Sequence, residues 1–159
     1  MAAHVEPGES VADIGADHGY LPLWLVREGI SPFAVLTDVQ PGPLEKTQAS
    51  VKRWTSGQNS VETCVSIRLG NGLAPLKAGE VDAIVIAGMG GETIVSILAA
   101  DPLKAVSFKK YILQPRTKLN ILQKWIEENN WEIISETDAP EKGRKCDIIV
   151  CRPGGNNDD

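Results

Sequence analysis

Two acidic residues and two glycines lie close together near the start of the chain, in the segment Asp13-Ile14-Gly15-Ala16-Asp17-His18-Gly19. An apolar run precedes this segment and an amphipathic stretch follows it, which predicts a strand-turn-helix unit. Glycine lacks a Cβ and lets the backbone approach a ligand closely, and the start of the following helix offers unpaired N–H groups. These residue types indicate a binding site for a nucleotide-type cofactor. A purely structural turn, with Asp17 capping the helix, is the alternative.

The spacing of the glycines distinguishes between nucleotide cofactors. The pattern is not G-x-G-x-x-G, so a pyrophosphate site for NAD is disfavoured. It is D-x-G-x-x-x-G, a form typical of methyltransferases, in which the acid of the strand meets the ammonium group of the cofactor through the loop. We therefore predict a site for S-adenosyl-L-methionine that includes Asp13, Gly15, Ala16, Asp17, His18 and Gly19.

Two further strand ends carry residues suited to a nucleoside. Asp38 ends the second predicted strand, where an acid can accept hydrogen bonds from both ribose hydroxyls, and Val39 follows it. After the third strand, Asn71 can read an adenine amino group through its carbonyl oxygen, beside Gly72, and Leu73 can pack on the ring. A solvated aspartate and a plain Asn-Gly turn remain the alternatives.

A glycine-rich segment, Ala87-Gly88-Met89-Gly90-Gly91, follows the central predicted strand. Methyltransferases that act on DNA amino groups carry Asn/Asp-Pro-Pro-aromatic here, and this chain does not. Its glycines would let a flat base lie against the backbone, and a methionine supplies an apolar face. We assign Ala87 and Gly88 to the cofactor and Met89, Gly90 and Gly91 to the substrate. A role in packing alone is the alternative.

These segments occur in an order that is more specific than any one of them. The order is DIGADHGYLP (Asp13 to Pro22), RLGNGL (Arg68 to Leu73), IAGMGG (Ile86 to Gly91), ILQPR (Ile112 to Arg116) and L-x-x-W-I-x-x-N-x-W (Leu122 to Trp131). Together they resemble the bacterial tRNA (adenine-22-N1)-methyltransferase family, from about Ser10 to Arg152.

The resemblance implies a class I methyltransferase fold, S-adenosyl-L-methionine as donor, and N1 of an adenine in the D-arm of tRNA as acceptor. By position, Asp17 is the candidate catalytic residue. The GMGG and LQP segments would line the base pocket, so the substrate-binding candidates are Tyr20, Met89, Gly90, Gly91, Gln114, Pro115 and Arg116.

The chain departs from the family pattern in three respects. The family has an acid at the position of Asn71 and an asparagine at that of Arg116. Its members also carry a helical segment before the first strand and a C-terminal coiled-coil extension that helps to hold tRNA. Neither falls within these 159 residues, so we expect weaker binding of tRNA.

The elements that must position these residues alternate between strand and helix, which predicts βα units around a parallel sheet. The predicted strands are Ser10–Gly15, Ala34–Thr37, Glu62–Leu69, Val81–Ala87, Phe108–Leu113, Trp131–Asp138 and Lys145–Cys151. The predicted helices are Tyr20–Glu28, Pro41–Trp54, Glu92–Ala100 and Thr117–Glu128. The loop Ala139–Arg144 is too short for a crossover helix, so the last two strands form an antiparallel hairpin. The expected fold is a seven-stranded, mostly parallel Rossmann-like α/β sheet, with helices on both faces.

Length and composition agree with one domain, residues 1–152, followed by a disordered tail, 153–159. The sequence shows no membrane-spanning run and no signal peptide. Its three cysteines lack metal-ligand spacing, so we expect a cytoplasmic protein without a metal. A net charge of −5 argues against general nucleic-acid coating but allows local basic clusters. Those clusters are Lys109-Lys110, Arg116 with Lys118, and Lys142 with Arg144-Lys145.

Three other functions stay open at this point. The chain could methylate a different RNA base or a small molecule, or it could be a non-catalytic cofactor-binding subunit. An NAD-dependent oxidoreductase is disfavoured because the phosphate-binding glycine pattern is absent.

Overall fold

The structure, a computed structural model, describes residues 1–16, 19–55, 64–141 and 144–155. Asp17 and His18, predicted above as catalytic and cofactor-binding residues, lie outside the described residues. The same is true of residues 156–159, so the disordered tail stays a prediction for them. Residues 153–155 are described and lie beside residues 106–109.

Seven strands and five helices form the described part of the chain, with a short 3-10 helix at Ala2–His4. The strands are β1 (Val11–Ile14), β2 (Ala34–Asp38), β3 (Val65–Leu69), β4 (Ala83–Met89), β5 (Lys110–Pro115), β6 (Glu132–Glu141) and β7 (Arg144–Arg152). The helices are α1 (Tyr20–Arg27), α2 (Pro41–Thr55), α3 (Gly91–Ala100), α4 (Pro102–Ala105) and α5 (Leu119–Glu128).

The strands form one sheet in the order β3-β2-β1-β4-β5-β7-β6. The first five are parallel, and β7 pairs antiparallel with both β5 and β6. The predicted fold class, including the terminal hairpin, is therefore confirmed. The chain runs outward from β1 to β3 and returns to β4 on the other side of β1. This reversal opens a crevice at the carboxyl ends of β1 and β4, which is where open α/β sheets bind ligands.

Two apolar layers hold the helices on opposite faces of the sheet. On one face, Ile94 and Leu98 of α3 and Leu122 and Ile126 of α5 pack against the sheet, each at most 1% exposed. On the other face, Leu25 of α1 packs with a second set of strand residues. Burial of a leucine or isoleucine side chain contributes about 1.5–3 kcal/mol, so these contacts hold the helices against the sheet.

The connection from β3 to β4 differs from a regular βα unit because residues 70–82 form turns rather than a helix. The Arg68 guanidinium donates to the Glu80 carboxylate at 2.8 Å and to the Pro75 carbonyl at 2.9 Å. This ion pair lowers the pKa of Glu80 to about 2, chiefly through the hydrogen bond from Arg68. Leu73 and Leu76 of the same connection are buried. The ion pair and the two buried leucines thus help to hold the turn that carries Asn71.

The end of β4 and the start of α5 differ from their predicted positions, and one helix was not predicted, each for a local reason. β4 continues through Met89 because Gly88, with φ 73°, forms a bulge instead of ending the strand. α5 begins at Leu119 rather than Thr117 because Lys118 adopts φ 57°, outside the helical region. The unpredicted helix α4 begins at an Asp-Pro pair, in which the Asp101 side chain accepts from Lys104 N. Aspartate at the cap and proline in the first turn are favoured helix starts.

Candidate functional site

A cavity of about 700 Å³ lies at the carboxyl ends of β1, β2 and β4 and the turn after β3. It has the size of a small-molecule site. Nine residues that were predicted to bind or pack against cofactor or substrate line it: Gly15, Asp38, Val39, Asn71, Gly72, Leu73, Ala87, Gly88 and Met89. The structure thus brings together four sequence segments that are far apart in the chain.

Backbone hydrogen bonds anchor the described residues on both sides of the loop after β1. Gly15 N and Ala16 N donate to the Thr37 carbonyl at 2.8 and 3.1 Å, and Gly19 N donates to the Ala16 carbonyl at 2.8 Å. Gly19 has φ 69°, and a Cβ there would overlap the Leu36 side chain. Its positive φ therefore favours glycine at this position, and a larger residue would also require the buried Leu36 side chain to shift.

Asp13 lies within β1, in register with Leu36 and Val85, and is 9% exposed. It does not line the cavity but sits directly before the loop that does. Burial raises the pKa of its carboxyl from 3.8 to about 7. Ionised Asp13 is thus costly in the folded protein unless a positive charge approaches it.

This burial predicts a pH-dependent stability. The folded state holds a proton on Asp13 up to about pH 7, whereas the unfolded chain releases it near its ordinary value of 3.8. The contribution of protonated Asp13 to the free energy of unfolding is fully present below the pKa of the unfolded chain. It is lost as the pH rises through the pKa of the folded protein, by up to about 1.4 kcal/mol per pH unit. Urea unfolding at pH 5, 6 and 7 measures it: the free energy of unfolding of the wild type should fall relative to that of Asp13→Asn. A constant difference between the two would show that Asp13 titrates normally.

The end of β2 faces the cavity with one carboxylate. Asp38 Oδ1 accepts from Gln40 N at 3.1 Å, and the Asp38 carbonyl accepts from Gly70 N at 2.9 Å. The bond from Gly70 N joins the end of β2 to the turn that carries Asn71, and the bond from Gln40 N holds the Asp38 carboxylate. Val39 beside it is 57% exposed and offers an apolar surface at the cavity edge.

The GMGG segment and the segment after β5 are held together directly. Met89 pairs with Pro115, and the Met89 carbonyl accepts from Arg116 N at 2.8 Å. Gly91 N donates to the Thr117 carbonyl at 2.7 Å. The two segments are therefore neighbours in the structure and are joined by backbone contacts.

Several predicted site residues do not line the cavity: Asp13, Ala16, Gly19, Tyr20, Gly90, Gly91, Gln114, Pro115 and Arg116. Tyr20 and Arg116 are exposed, whereas Pro115 and Gly91 are buried. Their assignment to cofactor or substrate stays a prediction.

One wall of the cavity was missed by the sequence reasoning. It consists chiefly of residues from α3 and α4, namely Thr93, Ser96, Ile97, Ala100, Asp101 and Lys104. The first four follow a spacing of three, four and seven residues, which places them on one helical face. This spacing is the sequence signal that could have identified the helical wall.

A buried hydroxyl adds polar character to the site. Thr37 lines the cavity and is 1% exposed, and its Oγ1 has no hydrogen-bond partner among the described residues. Gly88 also borders the cavity, and a Cβ there would meet no described atom within 4 Å. Both observations fit a cavity shaped for a polar ligand.

Neither a metal cluster nor a membrane span is found in the part of the chain that the structure describes. It contains no group of three or more metal-ligating side chains. None of its helices is long and apolar enough to cross a bilayer.

Comparison with known proteins identifies relatives over nearly the whole chain. Residues 1–149 match a family described as a methyltransferase domain. The tRNA (adenine(22)-N(1))-methyltransferase of Bacillus subtilis is 34% identical over 154 residues, which are 97% of this chain and 63% of that protein. The chain thus spans less than two thirds of this relative's length.

Two solved structures have the same fold. The M1A22 tRNA methyltransferase TrmK of B. subtilis superposes with a TM-score of 0.87 at 32% identity, covering 96% of this chain and 63% of that one. TrmK of M. capricolum, in complex with S-adenosyl-homocysteine, superposes with a TM-score of 0.82 at 25% identity, covering 99% and 69%.

Proposed function

The chain belongs to the methyltransferase-domain family, among the bacterial tRNA (adenine-22-N1)-methyltransferases, and from this premise we propose its reaction. It transfers a methyl group from S-adenosyl-L-methionine to N1 of an adenine in the D-arm of tRNA, at position 22. TrmK of M. capricolum, which has the same fold, binds S-adenosyl-homocysteine in its solved structure, and this compound is the product of such a donor. A tRNA substrate also agrees with the expected cytoplasmic location.

The cavity is the observation that carries this proposal. Residues of the predicted cofactor site from β1, β2, β3 and β4 line one space of about 700 Å³. The Thr37 hydroxyl, which has no hydrogen-bond partner among the described residues, offers a polar group to such a ligand, and the open space at Gly88 leaves room for it. S-Adenosyl-L-methionine supplies an electrophilic methyl group on a sulfonium centre.

Each part of the donor is assigned to residues of this chain. Asp38, which lines the cavity, is proposed to accept from the ribose hydroxyls, and Asn71 and Leu73, which also line it, are proposed to contact the base. Asp13, directly behind the loop, stabilises a positive ammonium group once its carboxyl is ionised. Because these groups come from different strands, they hold the donor in a fixed orientation for in-line attack.

The acceptor side requires a base outside its helix and a group that stabilises positive charge. Adenine N1 is buried by pairing or stacking, so the base must be extruded to react. Asp17 is our candidate to stabilise the cation that forms on N1 and to accept a proton from the amino group. Tyr20 and Met89 are proposed to contact the base, and Arg116 with Lys118 to contact flanking phosphates.

Label transfer tests the proposed reaction. Radiolabelled donor is incubated with unmodified tRNA that carries adenine at position 22, and with the same tRNA carrying guanine there. We expect label in the first tRNA only, with a primer-extension stop at position 22. Label at another base, in a small molecule, or in neither tRNA would refute the proposed substrate. A high Kd for tRNA with normal donor affinity is expected if the family's C-terminal extension supplies part of the RNA contact.

Replacing Asp38 tests the donor site separately. Asp38→Ala should weaken binding of S-adenosyl-homocysteine by at least about tenfold, because hydrogen bonds to a charged group contribute about 1.5–3 kcal/mol. Thermal stability should change little because Asp38 is partly exposed. Calorimetry measures the affinity, and Glu45→Ala, an exposed acid of α2, is the control. Unaltered affinity in Asp38→Ala would remove Asp38 from the site.

A further inference from the structure

Two hydroxyl groups, Ser31 Oγ and Thr37 Oγ1, are buried without a hydrogen-bond partner among the described residues. Such groups are rare, because a buried polar atom without a partner costs free energy. The two differ in their surroundings. Thr37 lines the cavity, whereas Ser31 precedes the amino end of β2 and does not line it. Thr37 is therefore the one whose missing partner a ligand in the cavity can supply.

The side chain of Thr37 projects from β2 on the side of α3. Alternate residues of a strand share a face, so Thr37 lies on the same face as Val35, which packs in one apolar cluster with Ile94 and Leu98 of α3. Thr37 is also in register with Ile14, a member of that cluster that lines the cavity. Since α3 forms most of the helical wall of the cavity, the hydroxyl lies on the cavity side of the sheet.

The backbone places Thr37 at the carboxyl end of β2, between the two parts of the chain that are assigned to the donor. Its carbonyl accepts from Gly15 N at 2.8 Å and from Ala16 N at 3.1 Å, so it contacts the loop after β1 directly. Asp38, the residue proposed to bind the ribose, follows it in the chain and ends the strand. Thr37 is thus joined to both by hydrogen or covalent bonds, at the strand end where the donor is proposed to lie.

The Thr37 hydroxyl complements the Asp38 carboxylate chemically. An ionised carboxylate only accepts hydrogen bonds, whereas a threonine hydroxyl can donate one. A ribose hydroxyl that donates to Asp38 keeps lone pairs that need a donor. Consecutive strand residues point to opposite faces, so a ribose lying across the end of β2 meets Asp38 on one side and Thr37 on the other. Together the two side chains satisfy both the donor and the acceptor capacity of a ribose hydroxyl.

We propose that the Thr37 hydroxyl donates a hydrogen bond to a ribose hydroxyl of the donor and, with Asp38, holds the ribose at the end of β2. The inference rests on the proposed function, because it assigns a further binding residue within the same donor site. The bound ribose supplies the partner that the described residues do not. Sequence alone gives no sign of this role, since threonine is common in strands for its shape.

Thr37→Val tests the proposal, because valine resembles threonine in shape and suits a strand but lacks the hydroxyl. Calorimetry with S-adenosyl-homocysteine should show about fivefold weaker binding, the effect of one neutral hydrogen bond. Thr37→Ser keeps a hydroxyl and should bind within about twofold of the wild type. Without ligand, Thr37→Val should unfold at the same or a higher temperature, because it no longer buries an unpaired hydroxyl.

The 2′-deoxy and 3′-deoxy analogues of S-adenosyl-homocysteine locate the hydrogen bond. With one of the two, the loss caused by Thr37→Val should shrink to less than about twofold, because that analogue lacks the atom that Thr37 contacts. Ser31→Ala is the matched control. It removes the other buried hydroxyl without a described partner, away from the cavity, and should leave the affinity for S-adenosyl-homocysteine unchanged.

The outcomes separate the inference from the proposed function. Unaltered affinity in Thr37→Val, an equal loss with all three ligands, or equally weak binding by Thr37→Ser overturns the inference and leaves the donor site standing. A lower unfolding temperature of Thr37→Val without ligand also overturns it, since the hydroxyl would then have a structural partner. Failure of the wild type to bind S-adenosyl-homocysteine overturns both the inference and the proposed donor site.

Discussion

Asp17→Ala lowers single-turnover methyl transfer to tRNA by at least about a hundredfold, the scale of a lost acid-base or charge-stabilising group. Adenine N1 needs no strong base before it attacks, but it becomes cationic as the methyl group arrives. A nearby carboxylate stabilises this charge only as the transition state forms, so its loss reduces turnover more than binding. Affinity for S-adenosyl-homocysteine should therefore stay within a few-fold of the wild type.

Two features make this result interpretable. The described flanks of the loop are held by hydrogen bonds from Gly15 N and Gly19 N to carbonyls of Thr37 and Ala16, which the substitution leaves in place. Glu45→Ala removes an acid from the surface of α2 and should retain full turnover. Rapid-quench kinetics with saturating donor measure the rate. An unchanged rate in Asp17→Ala would exclude Asp17 from catalysis.

Gly91→Ala destabilises the fold by about 3 kcal/mol, the upper range for overpacking a close contact. A Cβ on Gly91 would overlap the Lys118 carbonyl and lie 3.1 Å from the Thr117 carbonyl oxygen. Both neighbours are backbone atoms, so no side-chain rotation relieves the overlap. The same shift would break the 2.7 Å bond from Gly91 N to Thr117 and displace the GMGG segment.

Gly42→Ala is the matched control for Gly91→Ala. Gly42 also lies in the first turn of a helix, α2, but a Cβ there would meet no described atom within 4 Å. Alanine has the higher helix propensity, but a Cβ on a helical residue before Pro43 is disfavoured, so this change should alter stability by no more than about 1 kcal/mol. Urea unfolding of both variants gives the comparison. Equal stability of the two would show that the Lys118 backbone does not constrain Gly91.

Strand ends explain why so many of the residues that line the cavity could be predicted from sequence. In a parallel sheet the carboxyl ends of neighbouring strands meet at one edge. Gly15, Asp38, Asn71 and Gly88 each follow an apolar run, so their meeting needs only the strand order. The fold class followed from the same alternation, and the short connection before β7 identified the hairpin.

The helical wall of the cavity could not be predicted in the same way. In sequence, α3 is an ordinary amphipathic helix, and its spacing separates Ile94 and Leu98 from Thr93 and Ser96. Only the packing of α3 against the rest of the chain decides that the face with Thr93 and Ser96 meets a cavity rather than bulk solvent. The positive φ of Lys118 is likewise set by tertiary contact, since lysine has no intrinsic preference for it. By contrast, the Asp101-Pro102 helix start carried a readable signal.

Crystallisation of this chain with S-adenosyl-homocysteine tests the central claim most directly. The account predicts electron density that crosses from the Gly15 loop to the Asn71 turn, with the ribose hydroxyls within hydrogen-bond distance of Asp38. Density for the ligand elsewhere on the molecule, or a saturated crystal in which this cavity holds no ligand, would contradict it.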